Sequence, residues 1–470
     1  MLTLSVEKLC EVVQGELLAG STSAMVNGLA IDSRRIEPGV AFVAFAGQRS
    51  DGHDYLLDAI SMGARALVVS RSGDELAEAV GRARERDVAV VRVTDPLAAV
   101  QALASYHRGR LFCPVIGVTG STGKTTTKDF ITSVLAVRSK VVSTEGNQNN
   151  ELGVPLTVMQ AGADTDVLVV EMAMRGRGQI ARLCEIARPT AGIVTNVGAS
   201  HIELLGSQEA IAEAKGELVR AVPADGTVFL NFDDAYSASL AEQASARVVG
   251  YGLAESCDVR ARDIEVDGDS CASFVLVAGS LEHEVKLGVP GRHNVYNALA
   301  AASVGLELGV GVDDVLQGLA EARSGDMRMQ SFEAASGVFV INDAYNANPT
   351  SMRAAIETLS EMATTGKRVA VLGDMAELGS LSELAHFRIG EEVARLPIDG
   401  LVTVGERARR IADGARAEGM DDAVIRPCGT PLEASEVLDD LLCPGDVVLV
   451  KASRVMGLEV VVEGIVSPRV

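Results

Sequence analysis

The stretch Val115-Ile-Gly-Val-Thr-Gly-Ser-Thr-Gly-Lys-Thr-Thr126 runs from an apolar strand into a glycine-rich turn and then opens a helix at Lys124 and Thr125. Glycine at 120 and 123 lets backbone N–H groups turn inward around phosphate oxygens. The helix N-terminus adds its partial positive charge. Lys124 can then reach the β- and γ-phosphates of a nucleotide, and the Thr125 hydroxyl can hold Mg²⁺. One departure from the common G-x-x-x-x-G-K-[ST] spacing is present: five residues separate Gly117 from Gly123, so Val118 stands where the first glycine usually does. The bland alternative is a glycine-rich turn with no chemical consequence.

A nucleotide–Mg²⁺ site needs an acidic partner at a neighbouring strand end. Asp166-Val-Leu-Val-Val-Glu171 offers one, an apolar strand ending in a carboxylate at the edge where open α/β sheets bind ligands. A solvated strand end is the alternative. His201 follows another strand end in Thr195-Asn-Val-Gly-Ala-Ser-His201, although imidazole is a softer donor than Mg²⁺ usually takes. Lys215 lies on a helical stretch from Gln208 to Arg220 and is one of eight lysines against 34 arginines, which singles it out; surface solvation is its default reading.

Outward from the loop, short β-branched runs alternate with helical patterns, the signature of parallel α/β units. Expected strands are Ala41 to Ala46, Ala66 to Ser70, Val115 to Thr119, Val167 to Glu171, Gly192 to Val197 and Thr227 to Asn231. Beyond residue 322 they are Val338 to Asn342, Arg368 to Leu372, Leu401 to Val404 and Asp446 to Val450. Helices are expected over Tyr55 to Met62, Thr125 to Val137 and from about Asn294. The basic, Gly-containing stretch His107-Arg-Gly-Arg110 and the region Glu321 to Arg328 mark boundaries. The expectation is an α/β chain of three domains: residues 1–110, a central P-loop mononucleotide-binding domain over 111–322, and a Rossmann-like domain over 323–470.

Composition narrows the function. With 470 residues, 47% hydrophobic and 23% charged, the chain has ample material for packed cores. Sixty-four acidic against 42 basic residues give a net charge of −22, which argues against nucleic acid or an anionic membrane surface as partner. Small phosphorylated ligands remain open, because local groups grip them. No run reaches the roughly 18 uninterrupted apolar residues of a membrane span, and the first fifteen residues carry Glu7, Lys8 and Glu11 rather than an apolar signal core. Seven scattered cysteines with no C-x-x-C pair suggest neither a disulfide framework nor a zinc ribbon. A reducing cytoplasm is the expected setting.

Taken together, these residues resemble the Mur ligases, which attach amino acids or dipeptides to cell-wall precursors. The likeness spans nearly the whole chain. Its carriers are Asp32-Ser-Arg34, Ser50-Asp-Gly-His53, Gly120-Ser-Thr-Gly-Lys-Thr-Thr126, Gly146-Asn-Gln-Asn-Asn-Glu-Leu-Gly-Val-Pro155 and Glu171-Met172. They continue with Thr195-Asn-Val-Gly198 with His201, Gly291-Arg-His-Asn-Val-Tyr-Asn-Ala298, Asn342-Asp-Ala-Tyr-Asn-Ala-Asn-Pro349 and Leu372-Gly-Asp-Met375. The phosphate loop alone would fit any Mur or folylpolyglutamate ligase. The Tyr-Asn-Ala-Asn-Pro run is the discriminating piece and points to the members that join D-alanyl-D-alanine to UDP-N-acetylmuramoyl-tripeptide. A sister ligase that adds a single amino acid is the alternative.

The resemblance implies ATP-dependent amide synthesis: phosphoryl transfer to the tripeptide carboxylate, then attack by the dipeptide amine on the acyl phosphate. ATP and Mg²⁺ are the implied cofactors, and a monomer is expected. The loop from Gly120 through Ser121, Thr122, Gly123, Lys124, Thr125 and Thr126 would hold the phosphates. Thr125 and Glu171 would ligate one Mg²⁺, and His201 with a carbamylated Lys215 would serve a second. Lys124, Glu171, His201 and Lys215 are thus the catalytic set. Asn294 would contact adenine, and Arg328 and Asp343 the ATP phosphates and ribose. Ser33, Arg34, Asp51, Gly52 and His53 would hold the uridine diphosphate end, or be ordinary turn residues. Asn147, Asn149 and Asn150 would contact the muramoyl-peptide part, with plain loop roles as the alternative. Tyr345 and Asn346 would touch substrate, although Asn346 to Pro349 could be only a helix start capped by Thr350 or Ser351. Lys451 would line the dipeptide pocket.

Overall fold

The computed structural model describes residues 2–47, 50–198, 200 and 202–466. Its chain forms two compact units: one of Met1–Gly117, Ser139–Met174 and Gly178–Ala191, and a second of Val118–Arg138, Arg175–Arg177 and Gly192–Val470.

In the first unit, short apolar runs build a five-stranded sheet in the spatial order Glu16–Ala19, Ala89–Arg92, Ala66–Val69, Ala41–Val43 and Leu29–Ala30. The first pairing is antiparallel and the other three are parallel. One face packs Phe42, Leu67, Val69 and Val90 against Leu56, Ile60 and Leu76, so the loops at the C-terminal edge stand on a rigid base. The expected strand to Ala46 stops at Val43, and Ala46 instead bridges Asp51 across a turn. The expected helix from Tyr55 splits into a 3₁₀ turn, Gly52–Tyr55, and a short helix, Leu56–Ser61.

The helix Pro96–Arg108 starts on Asp95, whose carboxylate accepts from Leu97 and Ala98 N–H, with proline in the first turn. At its far end Arg108 is buried and donates to the carbonyls of Ala187, Leu111 and Arg188 at 2.7, 2.8 and 3.1 Å. Arg108 thereby ties the end of this helix to the segment around Ala187. Phe112, four residues on, is 99% exposed.

The second unit carries two sheets. In one, the strands Ala191–Val194, Thr227–Asn231, Arg247–Gly252, Val259–Val266, Cys271–Ala278 and Leu281–Pro290 lie in chain order. Thr227–Asn231, Arg247–Gly252 and Val259–Val266 pair in parallel, but the last three strands form an antiparallel meander. The strands expected from sequence leave out 259–290, and this meander adds an antiparallel stretch to the parallel α/β units. Its alternating pattern, as in Leu281–Pro290 with outward Glu282, Glu284 and Lys286, fits a sheet with one solvated face.

The other sheet runs Gln330–Glu333, Phe339–Asn342, Val447–Lys451, Arg368–Gly373, Gly400–Val404 and Ile425–Cys428. Its first pairing is antiparallel and the remaining four are parallel. Helices cover both faces over two separate apolar clusters, as buried parallel sheets require. The loops that leave Asn342, Gly373 and Lys451 converge at one edge. Ser453 joins them: its Oγ accepts from Ala376 N–H at 2.8 Å and donates to Ala347 O at 3.3 Å. No helix among the described residues is long and apolar enough to cross a membrane.

Candidate active site

The phosphate loop follows the strand Val115–Thr119 and ends where the helix Lys124–Ala136 begins. Gly120 has φ +155° and Gly123 φ +77°. At Gly120 an added Cβ would lie 1.8 Å from Thr195 Oγ1, so glycine is required by close approach as much as by backbone freedom. Thr125 is buried, and Lys124 folds back to donate to Gly120 O at 2.7 Å and Ser121 O at 3.3 Å. Those bonds hold the ammonium against the loop's own carbonyls.

The loop is clamped from the neighbouring strand end. Ser121 N–H donates to Asn196 O at 3.0 Å, and Thr122 N–H to Asn196 Oδ1 at 3.0 Å. Asn196 Nδ2 returns to Thr122 Oγ1 at 2.9 Å, and Thr195 Oγ1 donates to Thr122 O at 2.6 Å. Gly198 N–H meets Ser121 Oγ at 2.8 Å. Thr195 and Asn196 were missed as site residues by sequence reasoning, because their partners lie more than seventy positions away. Their only sequence signal was membership of the Thr-Asn-Val-Gly run. Thr126 follows in the first helical turn.

Lys215 lies on the helix Gln208–Ala221, which is capped by Ser207. It is 2% exposed, and no hydrogen bond or ion pair reaches its amine among the described residues. Burial pushes its pKa well below the usual lysine range; the Lys124 cation adds to the shift and the Asp234 carboxylate opposes it. Asp234 is itself fixed by Val197 N–H at 2.8 Å and Tyr236 N–H at 2.9 Å. His201 lies outside the described residues.

Asn294 opens the helix Asn294–Glu307 and is buried, with Nδ2 on Pro290 O at 2.7 Å and Oδ1 accepting from Asn297 Nδ2 at 2.8 Å. Asn297 in turn accepts from Thr127 Oγ1 at 2.9 Å. A polar chain therefore runs from the phosphate-loop helix to the turn that carries Asn294.

Arg328 and Asp343 sit together. Asp343 Oδ1 accepts from Met329 N–H at 3.1 Å, and Oδ2 faces Lys451 Nζ at 2.5 Å. Lys451 also donates to Asn346 O at 2.9 Å and is 2% exposed. Its charge is paired with the Asp343 carboxylate. Tyr345 stacks under Arg328, and Asn346 is exposed. The helix Pro349–Glu361 starts on Asn348, not on Thr350 or Ser351: Asn348 Oδ1 accepts from Ser351 N–H at 2.9 Å, and the Ser351 hydroxyl closes a capping box. Pro349 takes the first helical position, where its missing N–H costs nothing.

In the first unit, Glu171 ends the strand Val167–Glu171. It is 1% exposed, and its Oε1 accepts from Asn149 Nδ2 at 2.8 Å. Asn150 Oδ1 accepts from Leu152 and Gly153 N–H and so starts the next helix; Asn147 is exposed. Ser33 opens a 3₁₀ turn. Arg34 makes a fork with Asp32, 2.9 and 2.7 Å, whose hydrogen bonds hold that carboxyl at about 2. His53 is buried. Ser70 N–H donates to its Nε2 at 3.0 Å, so Nδ1 carries the proton that Asp51 accepts at 2.6 Å. Burial opposes ionisation of Asp51, but the His53 amide and ring and the Arg71 cation, 2.6 Å away, hold its pKa below the usual range. Both His53 nitrogens are thus used in shaping the loop. Gly52 lets that loop press on Phe45, 2.8 Å from where a Cβ would be.

Among the described residues no group of three or more His, Cys, Asp or Glu assembles as a metal centre. The Thr125 hydroxyl on the phosphate loop is a hard oxygen donor of the kind that suits Mg²⁺. Strand, glycine loop, lysine and helix define a nucleotide-binding α/β protein of the P-loop class. Residues 25–108 match the Mur ligase family catalytic domain, 118–305 the Mur ligase middle domain and 327–454 the Mur ligase glutamate ligase domain. A UDP-N-acetylmuramoyl-tripeptide--D-alanyl-D-alanine ligase of Mycobacterium tuberculosis is 39% identical, covering 99% of this chain and 98% of its own. A crystal structure of MurF from Acinetobacter baumannii superposes with TM-score 0.87 at 30% identity over 99% of both chains. MurF from Thermotoga maritima in complex with ADP gives 0.78 at 30% identity, covering 93% of this chain and 96% of its own. The chain belongs to the Mur ligase family.

Proposed function

We infer that this chain is an ATP-dependent ligase that joins D-alanyl-D-alanine to UDP-N-acetylmuramoyl-tripeptide in peptidoglycan precursor synthesis. The observation that carries this is the clamped Gly120–Thr126 loop in a chain like the UDP-N-acetylmuramoyl-tripeptide--D-alanyl-D-alanine ligases over its full length. A carboxylate is a poor electrophile until one oxygen becomes a phosphate leaving group. The tripeptide carboxylate attacks the γ-phosphorus, ADP leaves, and an acyl phosphate forms. The dipeptide amine then adds to the acyl carbon, loses a proton and expels inorganic phosphate. Transfer between anions needs clustered positive charge, and Lys124 with the loop amides supplies it.

Mg²⁺, when bound, would neutralise charge on the transferring phosphoryl group. The proposed ligands are Thr125, Glu171, His201 and Lys215 in its carbamylated form. Support for the last comes from burial: an uncharged amine is the form that reacts with CO₂, and the product presents oxygen where an ammonium would repel a cation. Asn294 is assigned to adenine, and Arg328 and Asp343 to the phosphates and ribose. Asp343 would act with both oxygens already engaged by Met329 and Lys451. Ser33, Arg34 and the Asp51–His53 loop are assigned to the uridine diphosphate end, Asn147, Asn149 and Asn150 to the muramoyl peptide, and Tyr345, Asn346 and Lys451 to the acceptor side. Three domains over residues 1–110, 111–322 and 323–470 are proposed. The three family matches at 25–108, 118–305 and 327–454 support them. A cytoplasmic monomer completes the reading.

The test is phosphate release with ATP, Mg²⁺ and UDP-N-acetylmuramoyl-tripeptide, with and without D-alanyl-D-alanine. Turnover that requires the dipeptide is expected. Turnover supported instead by a single amino acid would move the chain to a sister ligase.

A further inference from the structure

Arg328 is half-buried, and in a chain with 64 acidic residues its guanidinium has no carboxylate partner and no hydrogen bond among the described residues. What holds it is a ring: the guanidinium carbon lies 3.8 Å from the centroid of Tyr345. The backbone on either side is fixed in an uncommon conformation, with Met327 at φ +56° and Met329 at φ +50°. Neither is a glycine, so both cost conformational energy that the surroundings must offset. Those surroundings are visible. Tyr345 N–H donates to Met327 O at 3.1 Å, Met329 N–H donates to Asp343 Oδ1 at 3.1 Å, and Arg454 Nη1 meets Met327 Sδ at 3.3 Å. Asp343 is anchored in turn by the buried Lys451.

A strained segment pinned on both flanks, with one arginine at its centre, is built to present that arginine. The choice of platform matters. A carboxylate would hold the guanidinium more tightly but would cancel its charge and occupy its N–H fork. An aromatic face attracts the cation through its quadrupole and leaves the five in-plane donors unused. We propose that Tyr345 is a positioning residue whose ring seats Arg328 with its charge and donors intact, for engagement of the ATP polyphosphate. This rests on the reading that Arg328 serves those phosphates. It gives Tyr345 a role on the nucleotide side of the reaction rather than only against the acceptor.

The experiment is steady-state kinetics with ATP varied, on Tyr345→Phe, Tyr345→Leu, Arg328→Met and the Arg328→Met/Tyr345→Leu double variant, each with its melting temperature. Tyr345→Leu should lower kcat/KM for ATP by about tenfold, equivalent to about 1.4 kcal/mol. Tyr345→Phe, which keeps the ring, should recover most of that loss. The leucine change should cost nothing further once Arg328 is methionine. Equal activity of the Phe and Leu variants, or a leucine penalty that persists in the Arg328→Met background, would overturn the proposal. Unchanged kcat/KM in Arg328→Met alone would instead remove the phosphate reading beneath it. Because the chain has no tryptophan, Tyr345→Trp keeps an aromatic platform and adds a unique reporter. Its emission should change on addition of Mg-ATP, and Arg328→Met should abolish that change; a response that survives Arg328→Met counts against the seat.

Discussion

Lys215 and Lys451 are each 2% exposed, yet the protein treats their charges in opposite ways. Lys451 keeps company with Asp343 at 2.5 Å and a backbone carbonyl at 2.9 Å. Lys215 has no such partner among the described residues, and burial together with Lys124 drives it toward the neutral amine. An ammonium out of water is tolerable only when paired, and otherwise gives up its proton. Burial alone therefore says little about a lysine; the partner decides whether it is a structural cation or a reactive nitrogen.

The sharpest way to break this contrast is Lys451→Met. It leaves the partly buried Asp343 carboxylate without its cation, and the fold should lose about 3 kcal/mol in urea unfolding, the low end for breaking a buried pair. An unchanged midpoint would mean that the pair holds nothing together. Lys215→Met should do the reverse, preserving or raising stability while activity falls by more than about 100-fold, since even indirect supports of a metal ligand are worth 10–100-fold. In the fold the Lys215 amine is depressed, whereas in the unfolded chain it stays protonated up to about 10.5. Stability of the parent should accordingly rise with pH as it approaches 10.5 from below, and Lys215→Met should flatten that slope. Carbon-13 NMR in labelled bicarbonate should show a carbamate resonance in the parent that the variant lacks.

A third prediction concerns the neighbour of the paired lysine. Burial pushes the His293 imidazole down to about 4, with Asp343 opposing the shift and Lys451 adding to it. The unfolded chain takes up that proton near 6.5, so between about 6.5 and 4 it binds more protons than the fold. The contribution is complete above 6.5 and is lost as pH falls toward 4. Denaturant midpoints should drop across this window, and His293→Asn should reduce the drop. The smallest effect is expected at the loop clamp. Thr195→Val removes one buried hydrogen bond, worth about 1 kcal/mol, and should raise the KM for ATP severalfold with kcat little changed.

What could be read in the sequence was contiguous. Glycines, lysine and threonine at 120–126 state their chemistry within seven residues, and Glu171 sits at the end of an unbroken apolar run. Lys215 drew attention through lysine scarcity alone. Its burial required the helix to be placed against the sheet. The clamp of Thr195 and Asn196 on the loop, and the seat of Arg328 on Tyr345, join positions far apart in the chain, which no local pattern encodes. The antiparallel strands over 259–290 escaped because the alternation of strands and helices elsewhere favoured crossovers throughout. The Asp32–Arg34 fork and the internal use of both His53 nitrogens likewise depend on side-chain direction, which spacing does not give.

Arg108 has a consequence of another kind. All seven cysteines are free thiols, so no covalent bond closes the loop between the helix Pro96–Arg108 and the segment around Ala187. One guanidinium grips three carbonyl oxygens and does the work of a staple. Such a staple is indifferent to redox conditions and re-forms on refolding without an oxidant. It should come undone with heat or guanidinium salts, but not with a reducing agent. The exposed Phe112 just beyond it then offers chymotrypsin a natural place to measure how firmly that closure holds.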